Sequence, residues 1–259
     1  MYLRTRDAAR CAEISPYVVR EYSDAGLIAS ARDAGNNYRW IDMRAVPQVH
    51  LWQTLQRLGY SMGRLREIGR NRSPENALEL FESSDAQLET MVSQLRARQD
   101  MLRSYCALIR EGLEAQPGAI EVRALPARPV NCAPLAGGGF EPLCGTLGQI
   151  GRQGNGSCPL GLAYGNFNSL LNYPEHPAQL VSFDPRGADV RPAGEYLVGT
   201  EQCGYGEMGE LARRMDCYAR QRGLAFRGPA YAVYLFDEAC VANPENCLLQ
   251  IAVEVKQTA

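Results

Sequence analysis

Leu78, Phe81, Asp85, Leu88, Val92, Leu95, Gln99, Leu102, Cys106, Ile109 and Leu113 follow one another at alternating steps of three and four residues. That spacing is the seam of a heptad repeat. Its eleven positions over 36 residues predict a helix about 50 Å long at 1.5 Å per residue. Ser73-Pro74-Glu75 supplies a start and Gln116-Pro117-Gly118 a stop. A seam this long stays wet unless an equally long helix lies along it. The rest of the chain offers none, so the spacing predicts pairing with the same helix of a second copy, a homodimer; the alternative is a long helix lying on its own C-terminal domain. Asp85 and Gln99 are polar positions on that seam and would fix its register at some cost in stability. The chain thus divides into three regions: 1–72, the dimerisation helix 73–116, and 117–259.

Residues 5–40 read as two short helices, a tight turn and a basic loop. Ala8, Ala9, Ala12 and Ile14 line the first helix, with Thr5 placed to cap it. Ser15-Pro16 restarts a helix whose inner stripe is Val18, Val19 and Tyr22, while Tyr17, Arg20 and Glu21 point outward. A second helix of two to three turns suits the major groove of DNA, although two packed helices need no such role. Gly26-Leu27 closes it, and Asn36-Asn37-Tyr38-Arg39-Trp40 puts a turn pair before a cation set between aromatics, a loop able to lay Arg39 on a phosphate. Val46, Val49, Leu51, Trp52, Leu55 and Leu58 predict a further helix, broken at Gly59-Tyr60-Ser61, and Met62, Leu65 and Ile68 a short one behind it.

Ala8-Ala9, Ile14-Ser15, Val19-Arg20-Glu21-Tyr22, Gly26-Leu27-Ile28, Asn37-Tyr38-Arg39-Trp40 and the segment Leu55 to Ser61 occur in one order. Over residues 2 to 110 this set resembles the MerR family of transcription regulators. The resemblance implies a winged helix-turn-helix, an antiparallel coiled coil, and DNA contacts from Thr5, Ser15, Tyr17, Arg20, Tyr22, Tyr38 and Arg39. Glu13 stands where the family often has a turn Gly, which implies strain of about 1 kcal/mol. Glu21 replaces the first aromatic of a Tyr pair.

Charge divides along the same lines. The first 72 residues hold 12 Arg against 7 acidic residues, and the remainder 15 basic against 22 acidic. This predicts a basic reader joined to an acidic module that does not bind nucleic acid. Lys256 is the only Lys, so an Arg at any one site says little about bidentate recognition. With 259 residues, 46% of them hydrophobic, the chain can bury two modest cores. It has no run of 18 apolar residues and no signal-peptide core; a cytoplasmic protein without membrane association is expected. The nine Cys form no C-x-x-C pair and neither His lies by a Cys cluster. Reduced apolar fillers, no metal and no cofactor are expected.

Beyond Pro126 and Pro129 the grammar changes. Val122 to Leu135 reads as extended, Glu141 to Arg152 as a helix, and Leu160 to Tyr164 and Ala178 to Phe183 as strands. Gly194 to Thr200, Tyr205 to Arg222, Pro229 to Phe236 and Cys247 to Val255 then repeat the order strand-helix-strand-strand. The fold class expected is α+β, with a C-terminal α/β domain of duplicated units flanking a groove. Arg191 to Tyr196, Gly228 to Leu235 and Leu249 to Val255 resemble the GyrI-like effector-binding domain, so the whole chain resembles the multidrug-sensing MerR regulators. That resemblance implies a pocket of aromatic side chains for hydrophobic, often cationic compounds, with Tyr164, Phe183, Tyr196, Tyr231, Tyr234, Gln250 and Glu254 as candidates. Gln250 stands where the family commonly has Glu; Glu254, on the same strand face, could restore the charge. Tyr231 and Tyr234 fall on opposite faces of their strand.

The chain carries no Ser-His-carboxylate spacing and no metal motif, and Gly137-Gly138-Gly139 precedes no Lys-Ser or Lys-Thr. The expected function is therefore not enzymatic. It is a homodimeric regulator with promoter DNA, RNA polymerase and a hydrophobic small-molecule effector as partners, activating by promoter distortion. A drug-sequestering protein and a GyrI-like hydrolase of reactive compounds are the alternatives.

Overall fold

The computed structural model describes residues 1–259 except 34, 36–37, 136–144, 148–158, 205 and 258–259. The Asn36-Asn37 turn pair, Gly137-Gly138-Gly139, Cys144, Cys158 and nearly all of the helix expected over 141–152 lie outside the described residues. Two compact units are formed, Met1–Ser93 and Gln94–Ala259. Among the described residues no helix is long and apolar enough to cross a membrane.

In the first unit β1 (Tyr2–Arg4) runs straight into α1 (Thr5–Cys11), and α2 (Pro16–Asp24) comes after a short turn. Thr5 does not cap α1; Arg4 holds the cap position, and the Thr5 hydroxyl donates to the carbonyl of Arg39 at 3.4 Å. Ser15 does cap α2, accepting from the Val18 N–H. Glu13, in the turn between them, has φ +51°, a left-handed conformation that costs a side-chain-bearing residue about 1–2 kcal/mol. The turn thus keeps the shape a Gly would give it. β2 (Ser30–Arg32) and β3 (Arg39–Asp42) pair as a hairpin, and β1 completes an antiparallel sheet of order β1-β3-β2. α3 (Val46–Arg57) and α4 (Met62–Arg70), the latter capped by Ser61, close the core over Val19, Tyr22, Leu27, Ile41, Trp52 and Leu65.

α5 (Pro74–Glu114) is one 41-residue helix. Ser84, Ser104, Leu108 and Gly112 are its buried positions, whereas Leu78, Phe81, Leu88, Val92, Leu95, Leu102 and Leu113 stay exposed along the heptad seam.

The second unit is an eight-stranded antiparallel sheet: β4 (Ile120–Leu125), β5 (Arg128–Pro134), β6 (Leu160–Tyr164), β7 (Gln179–Ser182), β8 (Asp189–Arg191), β9 (Gly194–Gln202), β10 (Leu224–Phe236) and β11 (Leu248–Gln257). Their spatial order is β4-β9-β11-β10-β6-β7-β5-β8. The expected extended run 122–135 is broken at Pro126-Ala127 into β4 and β5, since Pro lacks the ladder N–H. A six-residue helix, α6 (Phe167–Asn172), is absent from the sequence reading; it is too short for a readable period. α7 (Gly209–Gln221) begins later than the sequence suggests. Both helices cover one sheet face, where Leu211 and Met215 pack on Leu197, Leu249, Ile251 and Val253.

Two connections bend this sheet. Pro126-Ala127 joins β4, at one edge, to β5 beside the other edge, and Pro192-Ala193 joins edge strand β8 to β9. Such a link spans only about 10 Å. The sheet therefore curls until its edges approach, gathering the ends of β4, β5, β8 and β9.

Strand β6 lies tight against β10. A Cβ added at Gly161 would sit 2.6 Å from the Ala232 carbonyl oxygen, whereas one at Gly165 would meet nothing within 4 Å. Gly161→Ala is expected to lower stability by about 2 kcal/mol and Gly165→Ala by no more than about 0.5 kcal/mol, read from thermal unfolding.

Candidate functional site

Two sites emerge, one in each unit. The first is an open cavity of about 430 Å³ lined by Arg4, Thr5, Arg6, Arg20, Arg32, Tyr38 and Arg39. Its charged lining residues are all cationic, and Arg4, Arg6, Arg20 and Arg32 are exposed. Such one-signed concavity concentrates positive potential where backbone phosphates could bind. Three elements supply it: the β1–α1 junction, the outward face of α2, and the β2–β3 hairpin.

Among the residues expected to contact DNA, Tyr17 is 70% exposed on α2 and Tyr38 is exposed in the hairpin. Arg20 is exposed, Ser15 caps α2 and Thr5 ties α1 to β3. Tyr22 requires correction. It is fully buried, and its hydroxyl donates to Gln56 Oε1 at 2.5 Å, so the inner stripe of α2 claims it for the core. Arg39 lines the cavity and is also held from within the unit. Its guanidinium bonds Asp24 Oδ1 at 2.5 Å and the Arg20 carbonyl at 3.0 Å, bracing the hairpin on α2. This bond holds the Asp24 carboxyl below its usual range. Arg4, Arg6 and Arg32 escape a sequence reading because each is an ordinary surface Arg until the fold assembles them.

The second site lies on the face of the curled sheet opposite α6 and α7. Tyr196, Val198 and Thr200 of β9 and Gln250, Ala252 and Glu254 of β11 share that face through register pairs such as Tyr196 with Glu254 and Thr200 with Gln250. Glu111, in the last turns of α5, is its hub. Oε1 accepts from Arg123 and from the Gln250 amide, both at 2.8 Å, and Oε2 lies 3.8 Å from Arg128. Sequence reasoning misses Glu111, since nothing local to it announces a partner 139 residues away.

The candidate aromatics divide. Tyr196 is buried here, donating to the Pro192 carbonyl at 2.9 Å with the Arg191 guanidinium 5.4 Å from its ring. Tyr231 is half-buried, and its hydroxyl is pushed up to about 12, first by burial and then by neighbours including Tyr196. Phe183 packs in the same region with Arg128 stacked 4.6 Å from its centroid. Tyr164 is instead core on the helix side, bonded to the Pro174 carbonyl at 2.6 Å. Tyr234 also packs against that side and accepts from the Gly206 N–H at 2.6 Å. These two are corrected: the alternation of β6 and β10 turns them toward α7. Gln250 is buried and Glu254 half-buried. Glu111 and Arg123 also border a cavity of about 350 Å³ whose other charged walls, Glu114 and Glu121, are acidic.

No family model matches the chain. The multidrug-efflux transporter 2 regulator of Bacillus subtilis (strain 168) is 19% identical over 280 residues, spanning 99% of this chain and 97% of that protein. Among solved structures, an EcmrR–DNA complex overlays at TM-score 0.46 with 9% identity, over 99% of this chain and 100% of that one. HiNmlR, a MerR family regulator lacking the sensor domain and bound to promoter DNA, gives 0.38 and 24%, over 44% and 94%. A hydrolase from Listeria innocua gives 0.37 and 12%, over 57% and 96%.

The corrected role of Tyr22 has a direct consequence. Tyr22→Phe strands the Gln56 carbonyl and is expected to cost about 1 kcal/mol of stability in a chemical denaturation series, leaving the exposed surface of α2 unchanged.

Proposed function

We propose that this chain is a MerR-type, ligand-responsive transcription regulator, with residues 1–72 as a winged helix-turn-helix reader, 73–116 as a dimerisation helix and 117–259 as a GyrI-like effector domain. The observation that carries the reading is the five-arginine concavity of the first unit, in a chain similar throughout its length to a multidrug-efflux regulator. α2 supplies the recognition helix, presenting Tyr17 and Arg20 to the major groove, and the β2–β3 hairpin is the wing, with Arg32 and Tyr38 on the flanking backbone. Asp24 and Arg39 set the angle between them.

The exposed seam of α5 supplies the second reader. Seven large apolar side chains in one line on a single helix face are covered by the same helix of another copy, running antiparallel. Two readers at a fixed separation impose a shape on the DNA between them. Bending or untwisting a promoter in this way costs several kcal/mol, which phosphate contacts on both sides repay. An effector on the open face of the second unit needs only to favour the dimer geometry that distorts, and RNA polymerase then engages the promoter. Sequestration of toxic compounds alone would leave the arginine concavity without a role.

Arg20→Ala and Arg32→Ala are each expected to weaken binding to DNA upstream of the protein's own gene about tenfold and to flatten the log–log salt slope by about one unit. Salt-titrated fluorescence anisotropy measures both quantities; wild-type affinity and slope in both variants would rule out this interface. Replacing Leu88 and Leu95 by Glu is expected to give monomers in sedimentation and to abolish operator affinity, because one half-site forfeits the second reader's contacts.

A further inference from the structure

The open face of the second unit gathers Arg123, Arg128 and Arg191, while Glu111, Glu121 and Glu254 also stand on it. Arg128 and Arg191 stand directly opposite one another in the β5–β8 register, an arrangement that like charges disfavour. Arg123, from β4, faces the same carboxylate as Arg128. Glu111 is the one ion-pair partner within 4 Å of any of the three among the described residues, at 2.8 Å from Arg123 and 3.8 Å from Arg128; Arg191 has none. Glu254 is not within that distance of any of them.

Arg191 is 6% exposed. One terminal nitrogen donates to the Pro126 carbonyl at 3.1 Å and the plane lies over Tyr196, but its Nε has no acceptor. The Nε of Arg123 is likewise buried without one. Buried guanidinium donors left open in a native fold call for an explanation. A carboxylate or phosphate matches their planar fork, and adjacent rings would cover an aromatic body. Burial, and after it a neighbouring arginine, pulls Arg128 and Arg191 below the ordinary arginine range, against the opposing pull of Glu111.

We propose that Arg123, Arg128 and Arg191 form an oxyanion site, and that the effector is a small aromatic compound bearing a carboxylate or phosphate group. This rests on reading the face as the effector site, and reverses the ligand charge expected from the family resemblance. A lipophilic cation would be drawn to the part of the same face where Glu111, Glu114 and Glu121 border a cavity that Arg123 also lines.

The test is calorimetry on the full-length protein with salicylate, phenyl phosphate, uncharged salicylamide and tetraphenylphosphonium, together with melting curves. At least one of the two anions is expected to bind ten times or more tighter than salicylamide. Arg191→Met should lose that preference without lowering the unliganded melting temperature, since it removes an uncompensated charge, and Glu111→Gln should strengthen anion binding several-fold. If Arg191→Met fails to fold, Arg128→Met carries the same expectation for binding. Equal binding of salicylamide and the anions, or undiminished anion binding in the soluble arginine variants, overturns the proposal. Tight tetraphenylphosphonium binding, weakened by Glu111→Gln and without anion binding, overturns it while leaving the effector domain intact. Binding of none of the four overturns the anion site and counts against the effector reading too.

Discussion

The carboxylate of Glu111 is the point on which the second unit turns. It reaches from the last turns of a long helix to accept from a strand-edge arginine and from the Gln250 amide in the middle of the sheet. Gln250 is 3% exposed and would be costly to leave without an acceptor, whereas the Arg123 side chain, 34% exposed, stays partly solvated. The two short Pro-Ala links curl the sheet and bring β4, β5 and β8 within reach of this one acid. The same curl crowds three guanidiniums around it. Architecture and site chemistry therefore have a common origin in two connections too short to let the sheet stay open.

In the first unit a smaller device of the same kind operates. Arg39 looks, in sequence, like a cation offered to a ligand, yet it is spent holding the hairpin to α2 through Asp24 and the Arg20 carbonyl. Asp24 is exposed, so the pair contributes in the range usual for surface ion pairs, and its role is to fix geometry. The exposed arginines around it can then be positioned by a rigid frame. A site of this kind separates the residues that hold the angle from those that meet a partner.

Periodic features are the ones legible in the sequence. The heptad spacing of α5, the Ser15-Pro16 start and the alternation of β11 all survive in the structure because local geometry alone determines them. The pattern also puts Tyr22 on the inner stripe, and burial bears that out; its assignment to DNA comes from the resemblance and fails on burial. Tyr164 and Tyr234 suggest themselves as pocket residues because they are aromatic, whereas strand alternation and the position of α7 decide which face they occupy. Glu111, Arg123, Arg128 and Arg191 are invisible as a group in the sequence. They come from one helix and three strands whose meeting depends on the curl of the sheet. Helix α6 escapes because six residues hold fewer than two turns.

The central claim is that one chain reads DNA through the first unit and changes what that DNA does when the second unit is occupied. The most direct measurement is transcription by purified RNA polymerase from the promoter upstream of the protein's own gene. It would use the full-length protein and a panel of planar aromatic acids, amines and neutral isosteres. At least one compound that binds the protein is expected to change transcript yield severalfold while the protein stays on the DNA. A protein that binds such compounds but neither occupies that promoter nor alters its output would contradict the account.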